Sequence, residues 1–421
     1  MMMNLSKYIY SSIILLFVPM LLFSQIPKIE KRSDVGYQGP SSAEIDAMPV
    51  VATIQPSGNP ESDIHNFQKA IDKASKIKGG RIIVEQGNYQ LKDVRLKSNV
   101  HIRCKEGVVL MPRLDIESKS QLIFSVGRFA NEEIKNVTFI GEGDFSNRPQ
   151  FYYDRSIAVK CRSFTIGKVT NLYLENFSVF DDQTVFSTIS LNMRKKGTSK
   201  NDRPKNITVK NVSIYDASYG YGLVQGNTGE NVWLKNLQSV GGVTARIETH
   251  TGREHNVGVD NVVIEDVVCT QGKAAVTLQP HVVDNGIVTV NGAKAIRCEW
   301  GVMIKDGFIS KKLDPNKEWH NGSFAKGSSI KNVTMIHGDA TTISRQSKVY
   351  IPDSLLPYYK EDSSPDKEAN IGCKEGPSIA AILNLASEEM KIEEETISHT
   401  GKMAEKRQLI VTKKVKRTHS K

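Results

Sequence analysis

The chain has 421 residues, 39% of them hydrophobic and 24% charged, with a formal net charge of +10 and five cysteines. That allows a large core, while the few, odd-numbered cysteines exclude a disulfide framework and no C-x-x-C pair offers a zinc site. The basic excess is local: residues 402–421 hold eight Lys/Arg against one Glu, so the tail carries +7 and the body only +3, and no nucleic-acid partner is expected.

In chain order, Lys7 precedes an apolar run from Tyr8 to Phe23 that Ser11, Ser12 and Pro19 interrupt, and Ser24-Gln25 offers a small-residue cleavage point. Residues 1–24 therefore read as a secretory signal, too short and Pro-broken to span a membrane. No later stretch reaches about 18 apolar residues, so the expectation is a secreted protein without a membrane span. Residues 61–78 place apolar groups at 64, 67, 70, 71 and 74, a helical period ended by Gly79-Gly80. Short strands follow over 81–89 and 94–110. One amphipathic helix before a run of strands is how a solenoid covers the open end of its core.

The repeat then shows itself. Asn-x4-Asn recurs as Asn171/Asn176, Asn206/Asn211, Asn231/Asn236 and Asn256/Asn261, in steps of 35, 25 and 25 residues. A weaker copy, Gly286/Asn291, follows, and then Ile330–Ile336. Units near 25 residues with strands and no helical half predict a parallel β-helix over 25–350, with Asn at turns because it tolerates the left-handed backbone region. Longer steps read as insertions at a turn. The remainder, 351–421, reads as a C-terminal extension: a Pro-punctuated loop, a capping helix over Ser378–Met390, a strand over Gln408–Thr412 and the basic tail.

One strand stands out for chemistry. In Val243–His250, alternation sends Arg246, Glu248 and His250 to one face and Ile247 and Thr249 to the other. Glu248 and His250 then have Cα atoms about 6.5–7 Å apart. That matches the roughly 6.5–9.5 Å gap that lets a water fit between an acid and a base at a sugar. Counted from the second Asn of each coil, His250, Gln225 and Lys305 fall at the same offset, and the segment Thr277–His281 turns Gln279 and His281 outward. The inserted loop 193–205 adds Arg194, Lys195 and Lys196 on a neighbouring turn, a cation cluster suited to a polyanion. An elongated polymer can lie along such a face.

The helix cap, the GGRIIVEQGNYQL and LKSNVHIRCKEGVVL segments and the Asn-rich coils resemble the pectin-lyase-like superfamily. The fold this implies is all-β, a right-handed parallel β-helix with an N-terminal capping helix. Within the superfamily, Arg-Ile-Glu-Thr-His, the earlier Gln225 and the later Gln-Pro-His are similar to the iota-carrageenases, which hydrolyse β-1,4 bonds of sulfated galactans with inversion. The resemblance covers residues 60–345 and implies Glu248 as general acid, Gln225 holding a water or ion, and His281 contacting substrate. The family has Asp where this chain has His250, which either passes the role of base to a histidine or swaps the two roles, with protonated His250 as acid and Glu248 as base. Arg246, Gln279, Lys305, Arg194, Lys195 and Lys196 are expected to bind a carrageenan-type sulfated polysaccharide. No cofactor or metal is required in this reading, a structural ion is compatible with it, and a monomer is expected. A uronate-polymer hydrolase or lyase, and an inactive polysaccharide-binding β-helix, are the alternatives. Asp181-Asp182 and Ile304-Lys305 echo uronate-hydrolase sites, but no Gly-His-Gly occurs.

Overall fold

A computed structural model describes residues 27–113, 120–156, 160–361, 373–386 and 390–414. The signal segment and the tail beyond 414 lie outside the described residues. The chain forms a right-handed parallel β-helix built on one 23-stranded sheet system, in which each strand pairs in parallel with its counterpart one coil on. Helix Pro60–Lys76 closes the N-terminal end. Asn59 caps it by accepting from the Ser62 backbone, Pro60 opens its first turn, and Phe67, Ala70, Ile71 and Ala74 face the core. Phe67 packs on Tyr89 and Phe124. From there a column of rings, Phe124, Phe139, Phe151, Phe164 and Phe177, continues along the axis, mostly tilted or edge-on.

The asparagines do what their backbone tolerance allows. Asn99, Asn136, Asn171, Asn206, Asn231 and Asn261 all adopt φ between 49° and 66°. From Asn136 on, each side-chain amide donates to the side-chain carbonyl oxygen of the Asn one coil earlier, from Asn136→Asn99 at 3.0 Å to Asn261→Asn231 at 2.9 Å. The ladder corrects the expected register. Asn261, not Asn256, stacks on Asn231, and Val262 pairs with Val232, so that step is 30 residues. Asn256 instead bonds Asp284 in a turn.

The fold begins before the capping helix, and at its C-terminal end it extends past the expected limit. Strand Val50–Ile54 precedes the capping helix and pairs with Gly80–Val84. Upstream, Val35 packs against Trp233 and Val263, and Tyr37 against Ile140 and Tyr173, so the leading segment crosses several coils on the outside. At the other end the helix does not stop near 350. Ala380–Asn384 pairs in parallel with Trp300–Ile304, and Ile397–Gly401 with Ser329–His337. The helix expected over Ser378–Met390 is thus a core strand: Ala380, Ala381, Ile382 and Leu383 are all buried, a continuous apolar run of strand length rather than a helical stripe. The strand expected over Gln408–Thr412 is Ile410–Val411. Thr341–Ser344, Lys360–Glu361 and Cys373–Gly376 form a small antiparallel sheet beside these coils.

Candidate active site

Strand Gly229–Glu248 ends at the residue the sequence singles out. Ile247 is 1% exposed in the core, while Arg246 and Glu248 point the other way. Thr249 and His250 lie just beyond the strand rather than within it. Their position is nevertheless fixed: the Thr249 amide donates to Gln279 O at 3.1 Å, its hydroxyl to Pro280 O at 3.1 Å, and Asn285 Nδ2 donates to that hydroxyl at 3.0 Å. This ties the Glu248 turn to the Pro280 turn of the next coil. His281 follows there with φ 55°, and its carbonyl accepts from both the Phe308 and Gly322 amides at 2.9 Å.

These elements surround a cleft of about 460 Å³ lined by Arg162, Tyr221, Gln225, Arg246, Glu248, His250, Arg253, His281, Phe308 and Lys312, among others. His281 Nε2 lies 2.9 Å from Glu248 Oε1, and Arg246 pairs with the other carboxylate oxygen. Arg246 also donates to Gly220 O at 2.9 Å and sits over the Tyr221 ring at 5.7 Å. Burial alone would raise the Glu248 carboxyl, but Arg246 and His281, with His250 behind them, hold it well below the usual carboxylate range. His250 is shifted down, by burial first and by His281 and Arg246, with Glu248 opposing. Its ring is 5.5 Å from that of His281, which packs on Phe308 at 4.8 Å. In this state Glu248 is a carboxylate and His250 a neutral imidazole.

The pairing corrects the column alignment expected from counting. Gln225 sits beside Arg246, not His250, and Glu248 sits beside Gln279. The cause is a bulged stretch between Ile214 and Gly222, where strand Lys205–Gly226 carries extra residues relative to its neighbour. Those residues supply Gly220 and Tyr221, the cradle of Arg246, so the irregularity that spoils the count also builds the site. Gln279 and Lys305 line a second cleft of about 370 Å³ with Lys273 and Lys414, and Phe308 stands between the two. Burial, then Lys273, pushes the Lys305 ammonium down to about 8.

Arg194, Lys195 and Lys196 are not among the cleft-lining residues. Arg194 is engaged by Asp202 at 3.1 Å and by Asn131 O at 2.9 Å, while Lys195 and Lys196 are exposed. Asp181, which echoed a uronate site, is buried outside the cleft, accepts from the Thr184 amide and is pushed up to about 7 by that burial. The sequence reading missed Arg162, Tyr221, Arg253, Phe308 and Lys312. Arg162 lies 4.0 Å from the Phe186 ring, and burial lowers it to about 10. Arg253 donates to His250 O at 3.2 Å. For Arg253, Phe308 and Lys312 the signal lay in the overlong steps of the repeat, whereas Tyr221 lies in the 25-residue step from Asn206 to Asn231 and had no such mark.

For metals, the donor atoms of Glu248, His250 and His281 all lie within 4.8 Å of one another. Among the described residues, no helix is long and apolar enough to cross a membrane.

Fold and cleft together make the protein a right-handed parallel β-helix with a charged cleft along its side. No family model matches the chain. An iota-carrageenase of Alteromonas macleodii is 31% identical over 307 residues, 70% of this chain and 59% of that protein. One from Zobellia galactanivorans is 31% identical over 260 residues, 58% of this chain and 51% of that protein. The chain therefore spans little more than half the length of these curated relatives. An iota-carrageenase structure complexed to iota-carrageenan fragments superposes with a TM-score of 0.73 at 21% identity, covering 93% of this chain and 96% of that one. The A. fortis iota-carrageenase without chloride ions gives 0.71 at 21%, covering 91% and 94%. The structural matches show the shared fold. In sequence, the chain is an iota-carrageenase homologue.

Proposed function

We infer that the protein is a secreted glycoside hydrolase that cleaves β-1,4 linkages of a sulfated galactan, iota-carrageenan first, by an inverting acid/base mechanism without a required cofactor. The observation that carries this reading is the placement of Glu248 and His250 at one strand end, on a cleft whose other charged walls are Arg162, Arg246, Arg253 and Lys312. Guanidinium forks suit sulfate oxygens; the Glu248 and His250 donor atoms lie within 4.8 Å of each other, so inverting attack by water requires the pair to open to roughly 6.5–9.5 Å as substrate enters.

Glu248 is the general acid and His250 the base, with Gln225 beside Arg246 positioned to hold the water. Arg246 and His281 keep Glu248 ionised, so donation requires that Arg246 be drawn elsewhere. A sulfate does this, because it competes with the carboxylate for the same guanidinium. His281 keeps the acid oriented through its 2.9 Å contact. Gln279 and Lys305 extend the polymer path past Phe308.

The test is sugar release from iota-, kappa- and desulfated carrageenan and from polygalacturonate, with NMR of the first anomer formed. Release from iota-carrageenan with inverted product supports the reading. Binding without release supports a polysaccharide-binding protein, and release from polygalacturonate alone overturns the substrate assignment.

A further inference from the structure

His250 beside Glu248 and His281 has a second chemical outcome. It places two imidazoles and one carboxylate around a single point. His281 Nε2 and Glu248 Oε1 already stand 2.9 Å apart, and a donor atom of His250 lies within 4.8 Å of both. Ligands about 2.0–2.1 Å from a tetrahedral ion are roughly 3.3–3.4 Å apart. His250 must therefore close by no more than about 1.5 Å, which rotation of one side chain supplies.

The surroundings favour binding. Both turns that carry the donors are pinned to each other through Thr249, Pro280 and Asn285, so the backbone pays little to order them. His250 Nδ1 is buried without a hydrogen-bond partner, so its lone pair is not already committed to a neighbour. Arg246 occupies only the far oxygen of Glu248 and leaves Oε1 toward His281. It thus serves as an outer hydrogen-bond donor to a ligating carboxylate, at the cost of some charge repulsion. Two nitrogens and one oxygen select zinc, nickel, copper or cobalt over calcium or magnesium.

We propose that Glu248, His250 and His281 form a transition-metal site of the zinc class, with three protein ligands and a fourth position open to the cleft. An ion there takes up the lone pairs of all three side chains. It holds the hydrolase silent until a chelator removes it. Binding itself stands apart from the hydrolase reading and is measured without substrate.

The experiment uses the full chain, treated with EDTA and dialysed, titrated with ZnCl2 by calorimetry and with CoCl2 by visible absorption. The expected result is one equivalent of zinc held at micromolar or tighter affinity, a four-coordinate cobalt spectrum, and no comparable magnesium or calcium binding. His250→Ala and His281→Gln should each weaken zinc more than about tenfold, with thermal unfolding of the metal-free proteins showing that they remain folded. If His281→Gln does not fold, His250→Ala alone carries the comparison. Zinc binding weaker than about 100 µM, or tight binding that survives His250→Ala, would overturn the proposal. The latter would move the ion to another pair such as His337 and His399, whose rings face each other at 5.3 Å.

Discussion

The strand Gly229–Glu248 has two unlike ends. Near its start, Asn231 has the same residue type stacked on it from the coil before and the coil after, in the same left-handed conformation. At its close, Glu248 has Gln279 beside it, Arg246 two residues back and His281 across the cleft wall. The first end repeats because every coil must make the same turn. The second varies because each coil contributes a different group to one reaction centre. Repetition therefore reports the scaffold, and departure from repetition reports the site.

The sharpest way to separate these ends is to neutralise Glu248. Glu248→Gln should lower turnover about 10²–10⁴-fold, the usual scale for a general acid, with a smaller cost in stability from leaving Arg246 without its carboxylate partner. Kinetics on iota-carrageenan and thermal unfolding together check this. Loss of folding instead would make Glu248 part of the scaffold.

One residue earlier the same strand belongs to the core, and Ile247→Ala should cost about 2–5 kcal/mol in denaturant unfolding. Residual turnover per folded molecule should remain measurable, since the acid itself is kept. A cost below about 1 kcal/mol would mean that the coil collapses around the gap.

At the other end, Asn206→Ala removes one rung of the ladder, both as donor to Asn171 and as acceptor from Asn231, at φ 54°. Lost hydrogen bonds and left-handed strain predict about 2 kcal/mol, with activity unchanged at temperatures where the protein is folded. Asn206→Gly should recover the strain but not the bonds, which apportions the two.

Lys305 sharpens the comparison from the cleft side. Its ammonium is lowered to about 8 by burial and Lys273, so the free protein carries that charge below pH 8 and loses it above. Affinity for a sulfated oligosaccharide should fall as pH rises through about 8, and Lys305→Gln should flatten that limb. Equilibrium binding at fixed ionic strength measures it.

How much of this could be read from the chain follows the same division. The β-helix, its capping helix and the inward Ile247 were legible because the Asn turns and the alternation repeat. The register past Asn236 was not, because Asn256-x4-Asn261 mimics the motif while Asn256 serves a local turn to Asp284. Glu248, His250, Gln225 and His281 were legible as residue types, and they do line one cleft. Their columns were misread because the bulge before Gly222 changes the count without changing the motif. Arg253, Phe308 and Lys312 had no periodic neighbour to mark them. The continuation of the helix through Ala380–Asn384 was hidden by the excursion of more than forty residues that separates it from the previous coil.

The basic loop is where expectation and structure pull apart most, and the effect there should be the smallest. Arg194 is held by Asp202 and Asn131, whereas Lys195, Lys196 and Lys200 are exposed and line neither cleft. Exposed charges contribute at most about 1 kcal/mol and act through a field that salt screens within about 8–10 Å. Replacing the three lysines by Gln should therefore weaken binding of iota-carrageenan up to about fivefold at low salt and not at all at 0.5 M salt, with turnover at saturation unchanged. A loss that persists at high salt would mean that the loop closes onto the polymer and belongs to the site. No loss at low salt would leave the loop as a solvated turn, held by Asp202 and outside the path of the substrate.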